Sequence, residues 1–526
     1  MRRSPRRVTG AAVACLGLLA SACTGAGSSG NGRWAMATVM RGAARLSSSG
    51  FGSPTSLWCS SPGNCTVGGE YFPAGPDGLQ PMQAYVISEV RGAWGMPQPI
   101  RGLSAPDNWF PFTPLAGISC TSAGNCLAAG TGEPAGYSLR APPAWRASVA
   151  REVNGAWGAA VPIPGLAELS HGDLSVITQL SCGQTGWCVL VGGLWPAHQS
   201  AGFPGMPFVA SEHDGAWRPA QLIPGLATSR GSAPSIGPLA CDPQGSCTLA
   251  GAQPGTGSFV MTEANGEWSR PQQINGYIGA LSCSSPGNCS GVGNYYPPAY
   301  SHEWYGLIPR MITETNGKWG RAAPLPGTVK FQAITPACNC AFATDVVTGL
   351  SCTAPGQCVL VGYYGSLFNG EYSGVNAAVP FIASQVNGTW HAPREIPGPG
   401  VHGHAGIVEI TALSCGSAGN CVAGGLYTYE RVNLNTSDGT IYPQAFVTTE
   451  TNGVWGPAEE VPGLLALGPM RSGIDFISCA AAGRGHGSTA GRPPNSSGPC
   501  TALGEYYKKT RSAEPGAFGL FTTSQS

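Results

Sequence analysis

Short apolar runs recur along the whole chain, and between them stand clusters of Pro, Gly, Asn and Ser in place of long amphipathic stretches. Residues 281–289 read LSCSSPGNC, and residues 57–65 read LWCSSPGNC. Runs such as ALSC and CVAGG, joined by a Pro/Gly/Asn turn, predict a tight antiparallel hairpin. A second run, as in FVTTE, leads through Asn-Gly to a tryptophan, which predicts another hairpin with a type I′ turn. One repeat is therefore four antiparallel strands. Alone, such a small sheet cannot bury both faces; stacked radially it can, and that is a propeller blade.

The repeat is marked by cysteines. Cys59/Cys65, Cys120/Cys126, Cys182/Cys188, Cys241/Cys247, Cys283/Cys289, Cys352/Cys358 and Cys415/Cys421 share one spacing, and Cys479/Cys500 is the same unit with a Gly-, Ser- and Pro-rich insertion. Cysteines closing a hairpin sit where a disulfide can bridge its strands, each giving about 2 kcal/mol for so short a loop. A second marker is the tryptophan, at Trp94, Trp157, Trp217, Trp268, Trp319, Trp390 and Trp455. The last residues, LFTTSQS, form a third strand without a partner, while NGRW at 31–34 is a fourth strand with nothing before it. Joined, they complete an eighth repeat with Trp34 as its tryptophan and leave no free sheet edge. The expected fold is all-β: a single eight-bladed propeller over residues 31–526, in preference to an open solenoid of eight units.

Composition agrees. Gly at 79 and Pro at 46 residues, without a collagen period, suit many turns, and 42% apolar residues can build a substantial core. With only 10% charged residues, 27 basic against 27 acidic, the surface lacks the clustered cations that nucleic acid or an anionic membrane requires. Residues 1–22 have an Arg-rich head, a short apolar run and a small-residue end, as in a secretory signal. Ala20-Ser21-Ala22-Cys23 resembles a bacterial lipobox, departing from it at Ala20, where Leu is commoner. This resemblance implies lipidation at Cys23, a flexible tether over 23–30, and a protein anchored to the outer face of the cell membrane through that lipid alone. The plainer alternative is a simple signal peptide in which Cys23 is incidental.

The unit Ser-Cys-x5-Cys followed by Phe-Val-x-x-Glu-x-Asn-Gly-x-Trp resembles repeats in secreted proteins of actinobacteria and covers nearly the whole mature chain. SEHDGAW at 211–217 is also faintly similar to the Asp-box of sialidase-type propellers, but its Gly215 stands one residue too near Trp217. That implies a related hairpin and not a sialidase.

Candidate chemistry is sparse. Glu89, Glu152, Glu212, Glu263, Glu314 and Glu450, with Gln385, all stand five residues before their tryptophan. A residue needed in every blade does a blade's work, here accepting hydrogen bonds at the hairpin. The even cysteine set favours disulfides over zinc. Cys338 and Cys340 fall outside the repeat and read as a loop-pinning pair. His171, His402 and His404 lack a clustered third ligand, so neither a metal nor a cofactor is expected. Aromatics gather in the long loops of one face, with Tyr295, Tyr296, Tyr300, Trp304, Tyr305, Tyr364, Tyr427 and Tyr429 as candidate ligand contacts. Tyr71, Tyr363 and Tyr506 instead read as strand ends packed between blades. The leading expectation is a monomer that binds a glycan or protein partner there. The alternative is a carbohydrate-active hydrolase or lyase using carboxylates such as Asp173, Glu303, Glu371 or Glu430, and a third is an envelope scaffold with no small ligand. A paired, pKa-shifted carboxylate would favour the enzyme.

Overall fold

The computed structural model describes residues 33–42, 52–73, 81–105, 113–132, 145–171, 174–183, 187–195, 206–213, 215–226, 234–255, 257–295, 308–327, 343–367, 375–396, 408–427, 443–469, 471–480, 499–508 and 517–525. Antiparallel strands dominate, with one short helix at Leu166–Ser170. Each cysteine pair belongs to one sheet unit, numbered here 1 to 8 in chain order. Unit 1 runs Gly52–Ser61, Asn64–Tyr71, Met82–Val90 and Ala93–Trp94, each strand paired with the next. The third strand also takes a short strand that follows the tryptophan, as Val161–Pro162 does in unit 2. The expected fourth strand is thus broken into two pieces, because the chain bulges at the residue after tryptophan, where Gly158 N–H bonds to Arg151 O at 2.9 Å. Units 1 and 2 share one continuous sheet through the pair Leu103 and Gly132.

The two turns of a unit hold each other, which explains the Ser-Pro-Gly-Asn wording. Gly63 has φ +69° and Gly92 φ +81°, values open to glycine. Gly92 N–H donates to Gly63 O at 2.8 Å, and Arg91 N–H to Asn64 Oδ1 at 3.2 Å. The same bonds recur in unit 7, from Gly453 N–H to Gly419 O and from Asn452 N–H to Asn420 Oδ1. Asn154 and Gly155, at φ +51° and +82°, show the positive pair a type I′ turn requires.

All eight cysteine pairs of the repeat are bridged, with Cα–Cα distances near 4 Å: Cys59–Cys65, Cys120–Cys126, Cys182–Cys188, Cys241–Cys247, Cys283–Cys289, Cys352–Cys358, Cys415–Cys421 and Cys479–Cys500. Each bridge joins the first and second strands of one hairpin, as expected, and it is also buried. The second member of every pair is buried: Cys65, Cys126, Cys188, Cys247, Cys289, Cys358, Cys421 and Cys500. Each stands in the second strand, which has a strand on either side and a neighbouring unit against its face, so the sulfur lies in the core and not at an accessible turn. The Thr66 hydroxyl of unit 1 is 3.5 Å from Cys126 Sγ of unit 2, and the Thr248 hydroxyl of unit 4 is 3.5 Å from Cys289 Sγ of unit 5. Cys188 packs in the same way, in the apolar cluster that units 2 and 3 share. A bridge therefore also fills space between units.

First strands of successive units touch in order from unit 1 to unit 8, and the first strand of unit 8 touches that of unit 1. The serine of Ser-Cys joins them: Ser478 Oγ accepts from Cys59 N–H at 2.9 Å, and Ser414 Oγ from Cys479 N–H at 3.0 Å. Unit 8 is Arg471–Cys479, Cys500–Lys508, Ala517–Ser524 and, from the other end of the chain, Thr38–Val39. Trp34 bridges Gln525 across this pairing, as each other tryptophan faces its Glu or Gln. Apolar clusters fill the gaps between neighbouring sheets, such as Leu57, Val67, Tyr85 and Ile87 of unit 1 against Leu503 and Leu520 of unit 8.

Candidate functional site

The repeated acids are buried at the hairpin they were expected to serve. Glu263 Oε1 accepts from Gly266 N–H at 2.6 Å and faces His213 Nε2 at 3.3 Å. Glu212 pairs with Arg151 of the preceding unit. Gln385 donates to Gly388 O and to Thr313 Oγ1, each at 3.2 Å, so an amide fills this position with both its hydrogens used. Burial pushes Glu89, Glu152, Glu263 and Glu450 up, and Glu314 up to about 7. A carboxyl raised in the folded state binds more protons than the unfolded chain between its two pKa values. Its contribution is therefore fully present below the unfolded value and lost as pH rises through about 7. Glu314→Gln should stabilise the protein at pH 8 by on the order of 2 kcal/mol and change little at pH 4, read from urea unfolding at both. An equal effect at both pH values would show that Glu314 is not held protonated.

The loop candidates divide. Tyr296, Tyr300, Trp304, Tyr305, Tyr429, Asp173, Glu303, Glu371, Glu430, His402, His404, Cys338, Cys340 and Cys23 lie outside the described residues. Tyr295 and Tyr364 have their backbones in strands Asn288–Tyr295 and Gln357–Leu367. Tyr427 is not a surface contact. It is fully buried, its hydroxyl donating to Glu460 Oε1 at 2.7 Å and its ring edge-on to Phe446. The third-strand aromatic needs a cover on its outer side, and the last residue of the second strand supplies it. Tyr71 and Tyr506 are buried the same way against Tyr85 and Phe521. His171 caps the short helix with φ +49°. Among the described residues no group of three His, Cys, Asp or Glu is placed to hold a metal ion.

A different set of polar residues converges between units 8 and 1, at the sheet end away from the disulfide turns. Four residues before the first cysteine, the first strand bulges, and threonine stands there at Thr55, Thr178, Thr348 and Thr411. Thr348 donates from there to Ile410 O of the next unit at 2.6 Å, and Thr411 donates likewise to Ile474 O. Unit 8 has Asp475 at the bulge, with Oδ2 buried and unpartnered among the described residues. Five residues after the second cysteine the units hold Glu70, Thr131, Gly193, Ala252, Asn294, Tyr363, Leu426 and Glu505. Leu503 and Tyr507 pack into the gap facing unit 1, and strand alternation points Glu505, between them, the same way.

Electrostatics single out this pair. Burial pushes Asp475 up to about 6, against the Glu505 backbone N–H that donates to it and the Arg471 guanidinium. Burial and then the Asp475 charge push Glu505 up to about 7, against the Tyr507 hydroxyl, which donates to Oε2 at 3.2 Å, and against Arg471. Burial raises Glu70 as well, and it lifts Tyr507 to about 12. Asp475 therefore gives up its proton more readily than Glu505, which separates the roles the two carboxyls can take. The sequence carried a signal for this: aligned unit by unit, Asp475 is the one acid in a column of Thr, Ala and Gly, and Glu505 shares its column with a single other acid.

No family model matches the chain, and no curated protein matches it. Among solved structures it is similar to an ulvan lyase, a polysaccharide lyase bound to a glucuronate–rhamnose chain, at 10% identity, covering 77% of this chain and 93% of that one with a TM-score of 0.38. It is also similar to the β-propeller domain of the Trilobed protease from Pyrococcus furiosus, at 8% identity, with 78% and 98% covered and a TM-score of 0.38. A puromycin hydrolase matches at 12% identity, with 91% and 62% covered and a TM-score of 0.41. None of these likenesses carries an activity to this chain.

Proposed function

We propose that this chain is an exported eight-bladed β-propeller that hydrolyses an uncharged glycan, with Glu505 as general acid and Asp475 as base or nucleophile. The carrying observation is that pair: two half-buried acids on adjacent strands of one unit, Asp475 losing its proton more readily than Glu505, and present at one junction of the repeat. Glu505 would protonate the glycosidic oxygen as the bond to the sugar breaks, while Asp475 either takes a proton from the water that attacks the sugar carbon or attacks that carbon itself, the resulting ester then being cleaved by water that gives its proton to Glu505. Two acids meeting here disfavour uronate or sulfated chains, which would meet like charge. Eight blades in a closed ring are supported by the order of first-strand contacts, which runs from unit 1 to unit 8 and returns, and by strand Thr38–Val39 completing unit 8.

The test is release of reducing ends from a panel of neutral and acidic polysaccharides, by the parent protein and by Asp475→Asn and Glu505→Gln. Turnover of a neutral polymer that both substitutions remove supports the proposal. Binding without turnover would return the chain to a recognition role, and turnover indifferent to both substitutions would sink this assignment.

Location is a separate part of the proposal, resting on the Arg-rich, apolar and small-residue order of residues 1–22 before Cys23. Radiolabelled palmitate should enter the protein in an actinobacterial host, and Cys23→Ser should abolish labelling and release the protein to the medium. Labelling that persists in Cys23→Ser would exclude Cys23 as the lipid site.

A further inference from the structure

Five units close their second-strand glycine under a phenylalanine from the third strand: Gly192 under Phe208, Gly251 under Phe259, Gly362 under Phe381, Gly425 under Phe446 and Gly504 under Phe521. Unit 1 uses Tyr85 over Gly69. The ring does the same work in both cases, since a Cβ on Gly69 would lie 2.5 Å from Tyr85 Cζ, and one on Gly504 would lie 2.6 Å from Phe521 Cζ. What unit 1 adds is a hydroxyl. That hydroxyl is buried, with Tyr85 only 1% exposed, and it has no hydrogen-bond partner among the described residues. A buried, unpaired hydroxyl lowers stability, so phenylalanine would serve packing better.

Its surroundings say what the hydroxyl faces. Tyr85 packs with Leu503 and Tyr507 across the gap between units 1 and 8, and Glu505 stands between those two on the same side of its strand. Burial first, and then the charges of Glu505 and Glu70, drive the phenol far above its usual range, so it keeps its proton at every working pH. It can only donate. The other groups facing Glu505 are the Asp475 carboxyl, the Arg471 guanidinium and the Tyr507 hydroxyl, and the last already donates to Oε2.

We infer that Tyr85 is a positioning residue, whose hydroxyl is held in reserve as the donor that meets the Glu505 carboxylate once Glu505 has given up its proton. This rests on Glu505 acting as the general acid. The phenol keeps its own proton throughout; it supplies one hydrogen bond to the charge left behind, and so favours ionisation of Glu505.

Tyr85→Phe tests it, because it places in unit 1 the residue that five other units already carry. The titration of Glu505 is followed on the free protein by carboxyl carbon NMR, assigned with Glu505→Gln. Expected is an upward move of about one pH unit in Tyr85→Phe, with a melting temperature equal to the parent's or higher. In the active protein the basic limb of the pH profile should move up with it, and kcat should fall at unchanged KM. An unmoved Glu505 titration would overturn the inference, as would a melting temperature well below the parent's, which would make the hydroxyl structural. Because the titration needs no substrate, a moved Glu505 in a protein that turns over no glycan would sink the hydrolase reading alone. Turnover with an unmoved Glu505 would sink the Tyr85 role alone.

Discussion

Glu505→Gln should lower turnover of the preferred neutral glycan by about 10²- to 10⁴-fold at pH 6.5, the usual loss when a positioned acid is removed. The loss should sit in kcat, since an amide of the same shape still fills the gap beside Tyr507. The form of the pH profile is the sharper readout. With Asp475 near 6 and Glu505 near 7, activity should rise through about 6 as Asp475 loses its proton and fall through about 7 as Glu505 loses its own. Glu505→Gln should abolish the falling limb. Asp475→Asn should abolish the rising limb and, by removing the neighbouring charge, let Glu505 ionise at lower pH. A profile that neither substitution reshapes would mean the pair is only a buried structural contact.

Trp34→Ala should cost about 3–5 kcal/mol of stability, the range for deleting a large buried aromatic. Trp34 is buried, its indole N–H donates to Thr449 Oγ1 at 3.2 Å, and its backbone bridges Gln525. Around it Ala35 N–H bonds to Ser524 O at 2.9 Å, and Thr523 Oγ1 donates to Ala35 O at 2.7 Å. The Trp34 side chain thus packs beside the backbone bonds that join the two ends of the chain. Urea unfolding should register the loss, and limited proteolysis should cut near residue 40 in the variant before any internal hairpin. A cost under about 1 kcal/mol would mean that the strand pairing holds without its tryptophan.

Much of this was legible because the repeat writes its architecture in short words. Ser-Cys, the Pro-Gly-Asn turn, Asn-Gly and Trp each fix a local geometry within six residues, and the structure keeps all four. The pairing of the segment at Trp34 with the last strand could be read as well, since a missing strand at one end matched an extra one at the other. The spacing of Cys65, Cys126, Cys188, Cys247 and Cys289 from their partners told of a bridge but not of its burial, because the unit that covers each sulfur is some sixty residues away in the chain. Tyr427 was misread because its word, a glycine-rich strand ending in tyrosine, looks alike whether the ring turns inward or outward. That choice is made by Phe446, a residue of the next strand. Asp475, Glu505 and Tyr85 were overlooked for a related reason. None belongs to a short motif; each matters only by departing from its column, and their meeting depends on unit 8 lying beside unit 1.

The strand pairing of Thr38–Val39 with Ala517–Ser524 also sets an order of assembly. Seven of the eight bridges join cysteines six positions apart. Those hairpins can oxidise as each meets an oxidising environment, with few wrong partners in reach. The last sheet is different, because its edge strand is made first and must wait, unpaired, until nearly five hundred further residues have followed. The proposed site lies where that same unit meets unit 1, so the acids and the tyrosine beside them come together only after the last unit has been made, and a shorter chain carries no assembled site.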